Sequence, residues 1–157
     1  MEQPSAIHNT FVIERSYPVT PARVFSAFAD AAQKRRWFIE GGHSTVEHYT
    51  LDFRVGGKEC GRVRLGENTP LAGVACINDA TYLNIVPDQR IVFAATMSLG
   101  EKCISASLGT VELLATEAGT DMIFTHQSAF FEGADGPEMR KAGWQSIFDN
   151  LEAHLSR

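Results

Sequence analysis

Among the side chains able to do acid–base chemistry in this sequence, His126 has the most informative setting. Along 120–130, Met122, Phe124, His126 and Ser128 recur at every second position, so an extended strand puts the imidazole on the same face as the methionine and the phenylalanine. An imidazole there either satisfies a backbone or side-chain partner as a structural group, or orients a ligand and exchanges a proton with it. Asp79 is the second candidate. Counting back by twos from Ile85 through Leu83 and Thr81 puts its carboxylate on the inner face of its own strand, unless Asn78-Asp79 marks a bulge or turn that resets the parity.

Beyond these two the catalytic inventory is bare. There is no Gly-x-Ser-x-Gly elbow, no Gly-x-x-x-x-Gly-Lys loop and no Gly-x-Gly-x-x-Gly fingerprint, so serine-hydrolase and nucleotide readings lose their usual supports and no cofactor is implied. His8, His43, His48, His126 and His154 are scattered without i, i+4 helical spacing, and His43 could meet His48 only by loop folding, so no metal site is expected. Glu59, Glu132 and Asp135 sit near predicted turns and form no acid–base pair. Cys60, Cys76 and Cys103 fit neither a disulfide framework nor a CxxC zinc site and read as reduced thiols, with Cys76 inert for want of a basic neighbour.

The chain that must position these groups has 157 residues, which is the length of one domain, 1–157, with enough core to stand without disulfides or metals. Its 14 Lys+Arg against 19 Asp+Glu give a net charge of −5, and nucleic acid is excluded as a partner because phosphate binding needs clustered excess cations. The single basic run, Lys34-Arg35-Arg36, reads as a solvated helix face. No stretch reaches the ~18 apolar residues of a membrane span, and the N-terminus lacks the pattern of a signal peptide, so no membrane partner and a cytoplasmic location are expected.

Period and punctuation divide the chain into elements. His8 to Tyr17 is a strand ending at Pro18; Thr20-Pro21 opens a short helix with Val24, Phe25 and Phe28 on its apolar face; Asp30 restarts a second short helix that ends near Trp37-Phe38 and is closed by Gly41-Gly42. Strands are then predicted at 46–55, 58–65, 74–86, 90–98, 102–116 and 120–130, and their short connections require an antiparallel meander. A long helix over 135–156 opens on a cap-like Asp135-x-x-Glu138 and carries Trp144, Ile147, Phe148, Leu151 and Leu155 at helical spacing. Helix stripe and sheet face each need a cover, and the simplest packing is an α+β domain in which a curved seven-stranded antiparallel sheet wraps the C-terminal helix.

Several segments carry a family likeness. Tyr17-Pro-Val-Thr-Pro-Ala-Arg-Val-Phe-Ser-Ala-Phe-Ala-Asp30, Arg36-Trp37-Phe38, Asp52-Phe-Arg-Val-Gly-Gly57, Tyr82 to Phe93 and Gly143-Trp144 through Leu151 resemble the SRPBCC superfamily, and within it the branch related to the C-terminal domain of the heat-shock-protein-90 ATPase activator. The resemblance implies the helix-grip fold of START and birch-pollen-allergen-like domains. It also implies a pocket lined by the concave sheet face, the second short helix and the long helix, regions that here hold Trp37, Phe38, Tyr49, Phe53, Phe93, Met97, His126 and Trp144. The expected function is binding of a small hydrophobic or aromatic ligand in that pocket. The alternatives are a small cyclase, dehydratase or hydrolase using His126, with Asp79, as general acid–base, and a co-chaperone-like or regulatory interaction module. A homodimer through an open sheet edge is a further expectation.

Overall fold

A computed structural model describes residues 3–42 and 44–157. His43 and the first two residues lie outside the described residues, and so does any meeting of His43 with His48 by loop folding. The elements run β1 (Ile7–Tyr17), α1 (Pro21–Ala29), α2 (Ala31–Lys34), β2 (Thr45–Leu51), β3 (Lys58–Arg64), β4 (Ala75–Val86), β5 (Arg90–Leu99), β6 (Lys102–Thr116), β7 (Gly119–Phe130) and α3 (Pro137–Leu155). One seven-stranded antiparallel sheet, in the order β1-β7-β6-β5-β4-β3-β2, is packed against α3 in the helix-grip arrangement. No described helix is long and apolar enough to cross a membrane.

Local chemistry sets the helix boundaries. The Thr20 hydroxyl accepts from Arg23 N to start α1, and the Asp30 carboxylate accepts from Gln33 N to start α2. Residues Arg35–Ile39 then widen into a π turn, closed by Glu40 N donating to Arg35 O at 3.0 Å. Such a turn adds a residue to the helical circuit and re-aims the side chains that follow it. Gln33 fixes this corner, because its Oε1 accepts from Arg23 Nη1 at 2.9 Å and lies 3.0 Å from His154 Nε2, tying α1, α2 and α3 together.

Three expectations are corrected. The basic run is not uniformly solvated: Lys34 is buried and faces inward. Strand β2 stops at Leu51, four residues short of the predicted end, because the chain turns through Asp52–Gly57 with Gly57 N on Arg54 O and Gly56 N on Tyr82 O. The cap of α3 is Gly136, not Asp135: Pro137 takes the first helical position, which moves Asp135 outside the helix and frees its carboxylate for Arg140.

The core lies between the concave sheet face and the helices, and includes Val24, Phe28, Trp37, Tyr82, Phe124, Phe148 and Leu151. Strand β7 alternates without interruption, burying Thr120, Met122, Phe124, His126, Ser128 and Phe130. Strand β4 does not. A register shift between Tyr82 and Asn84 inverts the parity, so Tyr82 is buried while Leu83 is 49% exposed. Residues Asn78, Ala80 and Tyr82 therefore face inward, opposite Met97, Ala95 and Phe93 of β5, while Thr81 and Asp79 point outward.

Candidate functional site

An open cleft of about 540 Å³ separates the π turn from α3 above the inner face of β3, β4 and β5. Phe38 and Ile39 come from the π turn, Val63, Asn78 and Met97 from the three strands, and Met139, Arg140, Trp144 and Ile147 from α3. A small hollow of about 40 Å³ adjoins it, sharing Phe38, Asn78 and Trp144 and reaching Lys34, Glu59, Gly61, Ala80, Phe93 and Ala95. The hollow exists because Ala80 and Ala95 leave the sheet short of side-chain volume near Phe38 and Trp144, whose ring centroids are 5.8 Å apart, while Gly61 makes room for the Ile39 side chain beside it. Gly109 works in the opposite sense. The Phe93 ring lies over it, where a Cβ would come within 2.7 Å of the ring edge, so this glycine lets Phe93 lie flat against the sheet.

Two largely buried ion pairs border this space. Lys34 Nζ lies 2.7 Å from Glu59 Oε1 and donates to Tyr82 Oη at 3.1 Å; Tyr82 Oη donates to the same carboxylate oxygen at 2.8 Å, and Tyr49 Oη donates to the other. Burial, and then the Glu59 carboxylate, hold both phenols well above the usual tyrosine range, so they are donors at any ordinary pH. The ammonium also stands 4.7 Å from the Phe38 ring centroid. On the α3 side, Arg140 Nε and Nη2 grip Asp135 at 2.8 and 2.7 Å, Nη2 also reaches Ser105 Oγ at 3.0 Å, and the guanidinium covers the Phe130 ring at 5.1 Å.

His126 lines neither space. Its ring is stacked on Phe11 with centroids 4.6 Å apart and 15° between planes, and Nδ1 lies 2.9 Å from Ser128 Oγ, which pairs with Ser107 Oγ at 3.0 Å. Burial, helped by the nearby Arg140 charge, pushes its pKa down to about 4, so the ring is neutral at neutral pH. Asp79 stands on the outer face beside Lys58 and Thr81, in register with Cys60 and Thr96. Burial and the Asp79 carboxylate raise the Cys60 thiol to about 11. Cys76 is buried and its thiol is also raised, by burial above all, with the Arg140 charge opposing the shift.

The residues named from the family pocket thus separate. Phe38, Met97 and Trp144 line the cleft, and Phe93 lines the hollow. Tyr49 lies behind, holding Glu59, and Trp37 is a core residue whose Nε1 donates to Ala27 O at 2.9 Å. Phe53 leaves the β2–β3 loop to pack on Phe25 and Tyr82 at 5.5 and 5.0 Å. Lys34, Glu59, Asn78 and Arg140 are among the polar residues at the site that the sequence reading did not assign to it. Glu59 shares its strand parity with Gly61 and Val63, and Lys34 precedes Trp37 and Phe38 by three and four residues, so both carried a face signal. Among the described residues no group of three His, Cys, Asp or Glu side chains could hold a metal ion.

With that geometry in place, likeness to other proteins becomes informative. Residues 18–156 match the family described as Activator of Hsp90 ATPase homolog 1-like protein. The chain belongs to that family. An uncharacterised protein of Rhizobium leguminosarum is similar to this Activator of Hsp90 ATPase homolog 1-like chain at 42% identity and a TM-score of 0.90, covering 98% of this chain and 97% of its own. The Mll3558 protein of Rhizobium loti has 44% identity and a TM-score of 0.86, over 96% of this chain and 99% of its own. An AHSA1-like protein of Aeromonas hydrophila, at 18% identity and a TM-score of 0.66 over 94% of this chain and 92% of its own, shares the fold. No curated protein matches the chain.

Proposed function

We propose that this protein binds a small hydrophobic or aromatic molecule in the cleft between the sheet and α3. The observation that carries the reading is the 540 Å³ opening itself, with Phe38, Met97, Met139, Trp144 and Ile147 forming an apolar wall beside a polar rim that includes Asp135, Arg140, Asp149 and Asn150. That size is within the usual range of small-molecule sites, ~300–1,000 Å³, and apolar walls with a few placed polar groups are their usual make-up. Met139 is 68% exposed at the rim, where a flexible thioether can close over a guest. The acid–base alternative has less support, because His126 is sealed beneath Phe11 and Trp144 and is a weak base. An interaction module would need a contiguous exposed apolar patch, whereas the exposed large apolar residues Ile7, Val12, Val55, Leu71, Leu83 and Leu114 come from β1, β4, β6 and two loops.

Titration with N-phenyl-1-naphthylamine tests the reading. A saturable one-to-one rise in probe fluorescence, weakened by Trp144→Ala, is the expected result. A folded wild-type sample that shows no saturable rise overturns it.

A further inference from the structure

We infer that Asn78 selects the ligand, and that the ligand is a neutral aromatic molecule carrying one hydroxyl or carbonyl oxygen. The inference rests on the cleft being the binding site. Asn78 lies at the junction of the cleft and the hollow and lines both. It faces inward between Gly61 and Met97, on a wall otherwise made of small and apolar side chains. Neither polar atom of its amide has a hydrogen-bond partner among the described residues, and neither is among the sealed polar atoms that lack one, so both remain open to a guest.

An amide offers a donor and an acceptor to the same small region, which suits a hydroxyl or a carbonyl equally. The hollow behind it, about 40 Å³, has room for a small polar substituent next to the Lys34–Glu59 pair. The ring then lies on the cleft side against the Phe38–Trp144 pair, whose touching rings offer an aromatic wall to a flat body.

Neutrality follows from the charges. Lys34 is closed on Glu59, Arg140 on Asp135, and Asp149, which also lines the cleft, on Arg15 at 2.8 Å. Among the described residues no charge on the cleft wall is left over to repay the desolvation of an ionic ligand, and an ionic guest would have to break one of these pairs.

Competition against N-phenyl-1-naphthylamine with naphthalene, 2-naphthol and 2-naphthoate tests this. Wild-type protein is expected to bind 2-naphthol at least tenfold more tightly than naphthalene, and 2-naphthoate more weakly than 2-naphthol. Asn78→Leu, of similar size, is expected to bring the naphthol-to-naphthalene ratio close to one while keeping naphthalene affinity, with Asn78→Ala as the second variant should leucine plug the cleft or prevent folding. A ratio near one in the wild type, or an unchanged ratio in the folded variants, overturns the role of Asn78. Tightest binding of 2-naphthoate overturns the neutral class. If none of the three competes and the probe itself does not bind, the cleft reading fails, a result distinct from the other outcomes.

Discussion

Lys34 Nζ stands 2.7 Å from Glu59 Oε1 at a place where each side chain is only 7% exposed. The contact joins the end of α2 to the inner face of β3 and, through Tyr82 and Tyr49, to β4 and β2. Two charges taken out of water together gain little net stability, but removal of either leaves the other unpaired at a cost of about 3–5 kcal/mol. Lys34→Met and Glu59→Gln are each expected to lose stability on that scale in urea denaturation. The double variant, whose Gln carbonyl still accepts from one tyrosine while its NH2 can donate to the hydroxyl of the other, is expected to lose no more than either single. Additive losses would show that the two side chains act independently.

The His126 pKa predicts a pH dependence with a definite sign. Its folded value of about 4 lies below the ordinary 6.5, so the folded state favours the neutral ring. Above pH 6.5 both states are neutral and the full stability is present; as pH falls, the unfolded chain takes up the proton first. Stability is therefore lost on acidification, by about 2 kcal/mol between pH 7.5 and 5 from this group alone. His154 is depressed too and adds in the same direction. His126→Phe keeps a ring for the stack on Phe11 and is expected to flatten the acid limb of stability measured by urea unfolding at a series of pH values. An unchanged slope would exclude His126 as its source.

Gly109 and Phe93 form a third testable relationship. A Cβ at residue 109 would come within 2.7 Å of the Phe93 ring, so Gly109→Ala must push the ring off the sheet, at a cost of about 1–3 kcal/mol. Phe93→Leu removes the obstacle, and the double variant is expected to be more stable than the sum of the singles by about 0.5–3 kcal/mol. Thermal or urea unfolding of the four proteins gives the coupling. Additivity would mean that the ring and the glycine do not share the space.

How far the site was legible depends on local regularity. Strand β7 could be read by counting twos because no bulge interrupts Gly119–Phe130, so the inward position of His126 followed from sequence. The same count failed in β4, where the irregularity at Leu83 gives no sequence signal and moves Asp79 to the outer face. Lys34 was hidden in a run of three cations because burial of one depends on Glu59, Tyr82 and Tyr49 arriving from three strands. Asp135 was misassigned for a reason within reach of the sequence, since Pro137 favours the first helical position and so makes Gly136 the cap. The aromatic residues were easier to name than to place. Period and family likeness gathered them on inner faces, but only the π turn decides that Phe38 opens into the cleft while Trp37 turns into the core.

That last division gives the sharpest test of where a ligand goes. Trp37 is 1% exposed, with Nε1 donating to Ala27 O, whereas Trp144 borders both the cleft and the hollow. The protein has two tryptophans, so its spectrum holds two indole N–H resonances, assignable with Trp144→Phe. On saturation with 2-naphthol the Trp144 resonance is expected to move more than the Trp37 resonance, because aromatic ring currents act over a few ångströms and Trp144 lines the cleft, whereas Trp37 lies behind Phe38 with its N–H bonded to Ala27 O. Trp144→Ala removes a wall of the site and is expected to weaken 2-naphthol at least tenfold, about 1.4 kcal/mol. It leaves Trp37 as a folding reporter in the same sample. Movement of the Trp37 resonance with Trp144 unchanged would put the ligand inside the core, behind the π turn, and would refute the cleft as the binding site.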